Sequence, residues 1–281
     1  MYLRFINSCR PPKGGILSRE FSKETFLLIA IVAASLLATA CKKHKGEDDL
    51  ADAKAGDANA QFKVAFKIND LNGRDVSDKD KKVAFDWYRK AADQGHTEAE
   101  FLTGICYTYH QGVDAVEGDQ ALAEKYLRKA AEKNHSMAQL KLAELIATND
   151  PTQAFHWLSK AAAQDNPRAI YNLSRMYNNG DGVEKDDIKS VLWLRKGVEI
   201  GSAECLYDLG LSYEYGRGTP KDEIEAYACY NVAAVSIEQA RKNLESIEKN
   251  MPTEVRLRAQ QRSKELQKEI EAKIAAKKAG K

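Results

Sequence analysis

The sequence predicts an all-α fold assembled from about five helical hairpins, and three observations carry that prediction. Apolar residues recur at the spacing of one helical face, glycines break the pattern at regular places, and two independent residue markers return in step along the chain. The stretch 166–201 shows the unit. Ala169, Ile170, Leu173, Met176 and Tyr177 lie on one helical face, Gly180 and Gly182 interrupt it among Asn and Asp, and Ile188, Val191, Leu192, Leu194 and Val198 resume the period before Gly201 closes it. Neither helix can bury its stripe alone, so the hairpin requires neighbours of its own kind.

The chain has 281 residues, of which 43% are hydrophobic and 30% charged, with a net charge of +2 from 43 basic and 41 acidic side chains. That balance lacks the clustered Lys and Arg excess of a nucleic-acid binder, so no nucleic-acid partner is expected. Residues 1–15 contain Pro11-Pro12 and Gly14-Gly15, which stop a helix, and a start codon placed too far upstream accounts for them. Arg19 and Lys23 precede an uncharged run from Phe26 to Ala40, too short for the ~20 residues that span a bilayer. Residues 1–40 therefore have the layout of a secretory signal. Ala38-Thr39-Ala40 ahead of Cys41 resembles the lipobox of bacterial lipoproteins, with Ala38 where the lipobox prefers Leu. The resemblance implies cleavage before Cys41 and a lipid on its sulfur. Lys42 is not the Asp that holds enteric lipoproteins at the inner membrane, so the implied address is the outer membrane, facing the periplasm. Residues 41–58 are then the lipidated Cys and a tether. From Lys42 to about Gly56 the chain has no bulky apolar residue beyond Leu50, and such composition is expected to stay flexible.

The repeat occupies residues 59–236. A motif A-x-x-x-[LVTI]-[GAS] begins at Ala60, Ala99, Ala138 and Ala169, with Cys205 in the Ala slot of the last unit, at separations of 39, 39, 31 and 36. An aromatic in each second helix follows at Trp87, Tyr126, Trp157, Trp193 and Tyr230, separated by 39, 31, 36 and 37. Small pairs such as Ala91-Ala92, Ala130-Ala131 and Ala161-Ala162 follow each aromatic. Small residues let antiparallel helices approach, and the aromatic fills the wedge between successive hairpins. In the short third unit Asn149 or Asp150 can cap a helix that Pro151 starts.

These residues resemble the Sel1-like repeat, a relative of the tetratricopeptide repeat. The resemblance is carried by 87–95 (WYRKAADQG), by Lys185-Asp186-Asp187 after Gly182-Val183, and by Gly210-x-x-Tyr213-x-x-Gly216-x-Gly218. It implies a right-handed α-solenoid whose inner surface binds other proteins, here other envelope proteins or peptides. Residues 237–281 are read as capping helices and a basic charged tail. Ile237, Ala240, Leu244 and Ile247 form a short amphipathic cap, and Pro252 starts a further helix expected to run solvated from Gln261 and fray at its end.

The sequence carries no sign of a catalytic site. It has no G-x-S-x-G, no phosphate loop, no H-E-x-x-H and no C-x-x-C, so neither an enzyme, a metal nor a cofactor is expected. His96 and His135 fall just ahead of helices in successive repeats, which suits a helix terminus. Cys205 and Cys229 lie in the paired helices of one hairpin, where a packed thiol and a disulfide are both open readings. Some Sel1-type proteins carry one disulfide per repeat and are linked to β-lactam binding, but this chain lacks the second Cys at the Ala-pair positions. The groove series sits three residues past each small starter, at Leu102, Lys141, Asn172 and Asp208, and helical rotation adds Arg175 and Ser212. The function expected is an envelope-anchored scaffold or adaptor. The alternatives are a periplasmic regulator of a membrane signalling protein and a β-lactam-binding or β-lactam-hydrolysing envelope enzyme.

Overall fold

The computed structural model describes residues 49–69, 76–109 and 119–279, all of them helix or short connection with no strand. The secretory signal, Cys41, the tether as far as residue 48 and His110 lie outside the described residues. None of the described helices is long and apolar enough to cross a membrane.

The chain divides into one unit ending at Ala138 and one starting at Gln139. In the first, α1 (Asp49–Ala55), α2 (Ala58–Asn69), α3 (Asp78–Asp93), α4 (Thr97–Tyr109) and α5 (Asp119–Glu132) follow one another, with α2 packed on α3 and α4 on α5 as hairpins. Helix α6 (Ser136–Ile146) carries the point of division. The second unit continues with α7 (Pro151–Ala163), α8 (Pro167–Asn179), α9 (Asp187–Glu199), α10 (Ala203–Tyr215), α11 (Glu223–Ala233), α12 (Glu238–Asn250) and α13 (Thr253–Ala279). Hairpins α8–α9 and α10–α11 stack in order, the all-α repeat arrangement expected from the sequence.

Local chemistry explains the boundaries. Asp150, Asn166, Asp186, Ser202 and Asp222 each accept a hydrogen bond from a backbone N–H of the first turn that follows, at 2.8–3.2 Å. Gly180 and Gly216 end α8 and α10 in the left-handed region, at φ 83° and 68°. Gly182 and Gly218 have a second reason to lack a side chain. A Cβ on Gly182 would run into the carbonyl of Pro151, and one on Gly218 into that of Asp187. Each turn thus rests against the start of the preceding second helix. The helix pairs close on small residues: Ala91, Ala130 and Ala161 are fully buried, and a Cβ on Gly104 or Gly210 would meet Leu127 or Tyr230 at 2.7 Å. The repeated aromatic is also covered. Lys90, Lys129, Lys160 and Lys196 place their ammonium groups 4.5–5.5 Å from the rings of Trp87, Tyr126, Trp157 and Trp193, each one helical turn earlier.

Two stretches differ from their sequence reading. Asp49–Ala55, read as part of the flexible tether, is a helix packed on α2. Ala53 is 1% exposed, its carbonyl accepts from Gln61 Nε2 at 3.1 Å, and Lys67 pairs with Asp49 at 2.5 Å. One Ala methyl and a few polar contacts suffice to dock it, and composition cannot reveal that. The C-terminal stretch, read as solvated and fraying, is one continuous helix to Ala279. Its residues Ala259, Ser263, Leu266 and Ile270 are buried, and α13 lies along α11 and reaches α9. Arg262 pairs with Glu225 at 2.7 Å and Lys273 with Glu199 at 2.7 Å, Ile274 packs against Gly201, and Lys277 meets Asp165 at 2.8 Å. At the other end of the strap, α12 and α13 close over Tyr227 through Leu244, Ile247, Met251 and Val255.

Candidate functional site

The first helices of the second unit bring together half of the residues expected in the groove, Asn172, Arg175 and Asp208. Asn172 and Arg175 lie one turn apart on α8, and Asp208 stands on α10. Asn172 is half-buried, and its amide has no hydrogen-bond partner among the described residues. The Arg175 guanidinium is exposed and lies 5.9 Å from the Tyr171 ring. Tyr171, Arg175 and the loop residue Arg217 all act on the Asp208 carboxylate electrostatically. Burial nevertheless dominates and pushes the Asp208 pKa up to about 6, against the pull of Arg175, Tyr171 and Arg217. Tyr171 is raised to about 12, again mainly by burial and then by the Asp208 charge. Arg217 in turn lies 5.1 Å from the Tyr215 ring. Neither arginine forms an ion pair with a carboxylate among the described residues. The result is a face of aromatic ledges and two exposed guanidinium groups around one half-buried carboxylate.

Other expected groove residues serve elsewhere. Leu102 is 3% exposed and belongs to the core of the first unit, so it is not a contact residue. Ser212 is buried and donates to the carbonyl of Asp208, a helix-internal bond at 2.9 Å that removes it from the face. Lys141 is half-buried and pairs with Glu144 at 2.8 Å, and Glu144 also accepts from Arg168 at 3.3 Å. Tyr171 and Arg217 were missing from the expected set. Tyr171 had a signal: it sits two residues past the small starter, a position also held by Phe62, Phe101 and Tyr207.

Cys205 and Cys229 form no disulfide. Both are buried and unbridged, and Cys106 is buried as well. Cys205 sits at the start of α10 and points at Gly197 of α9, where an added Cβ would strike its sulfur. Cys229 lies mid-way along α11 against Gly210. Antiparallel pairing keeps the two apart. Burial pushes the Cys205 thiol up to about 12 and raises Cys229 further, so neither is a thiolate nucleophile at neutral pH. Among the described residues no group of three or more His, Cys, Asp or Glu could hold a metal ion.

The sequence model of the Sel1 repeat matches residues 58–96, 97–135, 136–166, 167–202 and 203–234. Among solved structures, the chain is similar to c5321, a protective antigen of uropathogenic Escherichia coli strains displaying an SLR fold. Identity is 25% and the TM-score 0.69, over 82% of this chain and 50% of that one. This chain therefore spans about half the length of that relative. It is also similar to a Sel1 repeat protein from Oxalobacter formigenes, at 28% identity and a TM-score of 0.59, over 65% of this chain and 75% of that one. No curated protein sequence matches the chain.

Proposed function

The chain belongs to the Sel1 repeat family, and on that premise we propose that it is an envelope-anchored scaffold that docks a partner protein on the first-helix face of its second unit. Sel1 repeat proteins are in general protein–protein interaction scaffolds. One observation carries the more specific reading: the exposed Arg175 and Arg217 flank the half-buried Asp208 without an ion pair closer than 4 Å among the described residues, and the half-buried Asn172 lies one turn from Arg175 on the same helix. Arginine and tyrosine are the residues that most often dominate binding energy at interfaces. Two guanidinium groups that share a single half-buried carboxylate, Asp208, fit a protein segment that brings carboxylates of its own. The anchor is the lipid on Cys41, which the signal layout and Ala38-Thr39-Ala40 support, and the partners are envelope proteins or peptides.

The test combines anchoring and capture in a Gram-negative host. Intact mass and membrane fractionation should give a mature chain starting at Cys41 with added acyl mass, and Cys41→Ser should lose it. A photo-crosslinking residue at Asn172 should trap a partner that the same residue at Leu192, exposed on α9, does not, and Arg175→Glu should abolish the Asn172 product. An unmodified soluble chain removes the envelope address. Equal trapping at both positions, or none at Asn172, removes the docking face.

A further inference from the structure

We propose that His96 is an acid-sensitive joint that holds the first hairpin of the 49–138 unit against the helix starting at Thr97. The inference goes beyond the docking reading and does not depend on it. In the second unit, α8 and α10 are capped by groups that do not titrate: Asn166 Oδ1 accepts from the Ala169 N–H at 3.1 Å, and Ser202 Oγ from the Cys205 N–H at 3.2 Å. At the corresponding place in the first unit the acceptor is an imidazole. His96 Nδ1 accepts from the Ala99 N–H at 3.2 Å, and His135 Nδ1 from the Ala138 N–H at 3.1 Å. An imidazole caps this way only while Nδ1 keeps its lone pair. A proton there turns the acceptor into a donor facing a donor, and sets a cation against the positive end of the helix.

The two histidines are not equivalent. The His135 ring stacks on Phe101 with centroids 4.7 Å apart, and its Nε2 lies 2.9 Å from Glu98 Oε2, so a carboxylate stands ready to balance a proton. His96 stacks on Phe62 of α2 at 4.5 Å and 17°, and among the described residues no carboxylate is in hydrogen-bond contact with it. The charged groups that face it are Glu98 and Glu100 of its own helix and Lys133 from the end of α5. Lys133 bonds both Glu100 oxygens at 2.8 Å and the Gly95 carbonyl at 2.8 Å, which offsets one of the two negative charges. Burial lowers the His96 pKa from its ordinary value of 6.5; the two glutamates oppose this and Lys133 reinforces it. The fold therefore favours the neutral ring. Its contribution is complete above the unfolded value of 6.5 and is lost as pH falls through the lower folded value. What is lost is the start of α4 together with the geometry that places His96 on Phe62, so the hairpin α2–α3 loosens from α4.

Hydrogen exchange of the full chain at pH 7.5 and 5.0, corrected for intrinsic pH dependence, tests this. Wild type should show opening at residues 97–103 and 60–66 rising about tenfold at pH 5.0, the worth of a typical N-cap, while 203–209 keeps its protection. His96→Asn retains a cap oxygen and removes the titration. It should match wild type within about twofold at pH 7.5 and abolish the rise. His96→Ser, the cap used at Ser202, serves as the second variant should Asn impair folding. A rise that survives in the His96 variants, one that disappears in His135→Asn instead, or no rise in wild type overturns the proposal.

Discussion

Asp208 lies half-buried beside Tyr171 and Arg175, and burial outweighs both in raising its pKa to about 6. A raised carboxyl pKa means that the fold favours the neutral acid. The stability it contributes is complete below its ordinary value of 3.8 and is lost as pH rises through about 6. At pH 7.5 the ionised group therefore costs on the order of 1–3 kcal/mol. Asp208→Asn is expected to raise the Tm by a few degrees at pH 7.5, with the gain shrinking toward zero at pH 4, as read by thermal scans at both values. Equal melting of the variant and wild type at pH 7.5 would remove that cost. A destabilising charge kept on an exposed face is what a binding role leads one to expect. Register made this residue legible, because it stands three positions past the small starter, as Asn172 and Leu102 do. Register did not reveal depth. Leu102 shares the position and is core, since an apolar side chain there turns inward and only the packed structure shows how far the next hairpin closes over it.

Helix α13 is held chiefly by a narrow seam, with ion pairs at its rim. Leu266 and Ile270 are each 8% exposed, Ala259 is fully buried, and the Lys273–Glu199 pair is about half exposed on both sides. Exposed pairs contribute little, whereas a buried Leu contributes through packing. Leu266→Ala is therefore expected to lower unfolding stability by about 2–4 kcal/mol, and Lys273→Ala by less than about 1 kcal/mol, in denaturant titrations followed by circular dichroism. A Lys273 effect equal to that of Leu266 would mean that charge, not packing, holds the strap. The sequence made some elements legible because their signals are local: the cap residue Asp150 and the turn glycines Gly180 and Gly216 act within a few residues. Helix α1 was misread because Ala53 leaves little apolar signal; helix α13 was expected, but not its burial, because one Leu or Ile per turn among Lys and Glu does not show which surface it meets.

The repeat markers run without interruption across the division at Ala138, so the two units share one hairpin design, but they are closed differently. The second unit ends in α12 and the 27-residue α13, whereas the first described helix of the other is the 7-residue α1. Repeat arrays gain stability from neighbour contacts and from caps, and cooperativity fails where neighbours differ enough in stability. The first unit, two of whose described helices start on imidazoles, is expected to open before the one strapped by α13. The three tryptophans report this directly, because Trp87 lies in the first unit and Trp157 and Trp193 in the second. A chain retaining only Trp87, with the others replaced by Phe, should show its fluorescence transition at lower denaturant than one retaining only Trp193, and the gap should widen at pH 5. Coincident transitions at both pH values would make the array a single cooperative body. Separate ones would leave the Tyr171–Asp208 face folded while the first unit is open, so that acid could loosen one end of the scaffold without releasing a partner held by the other.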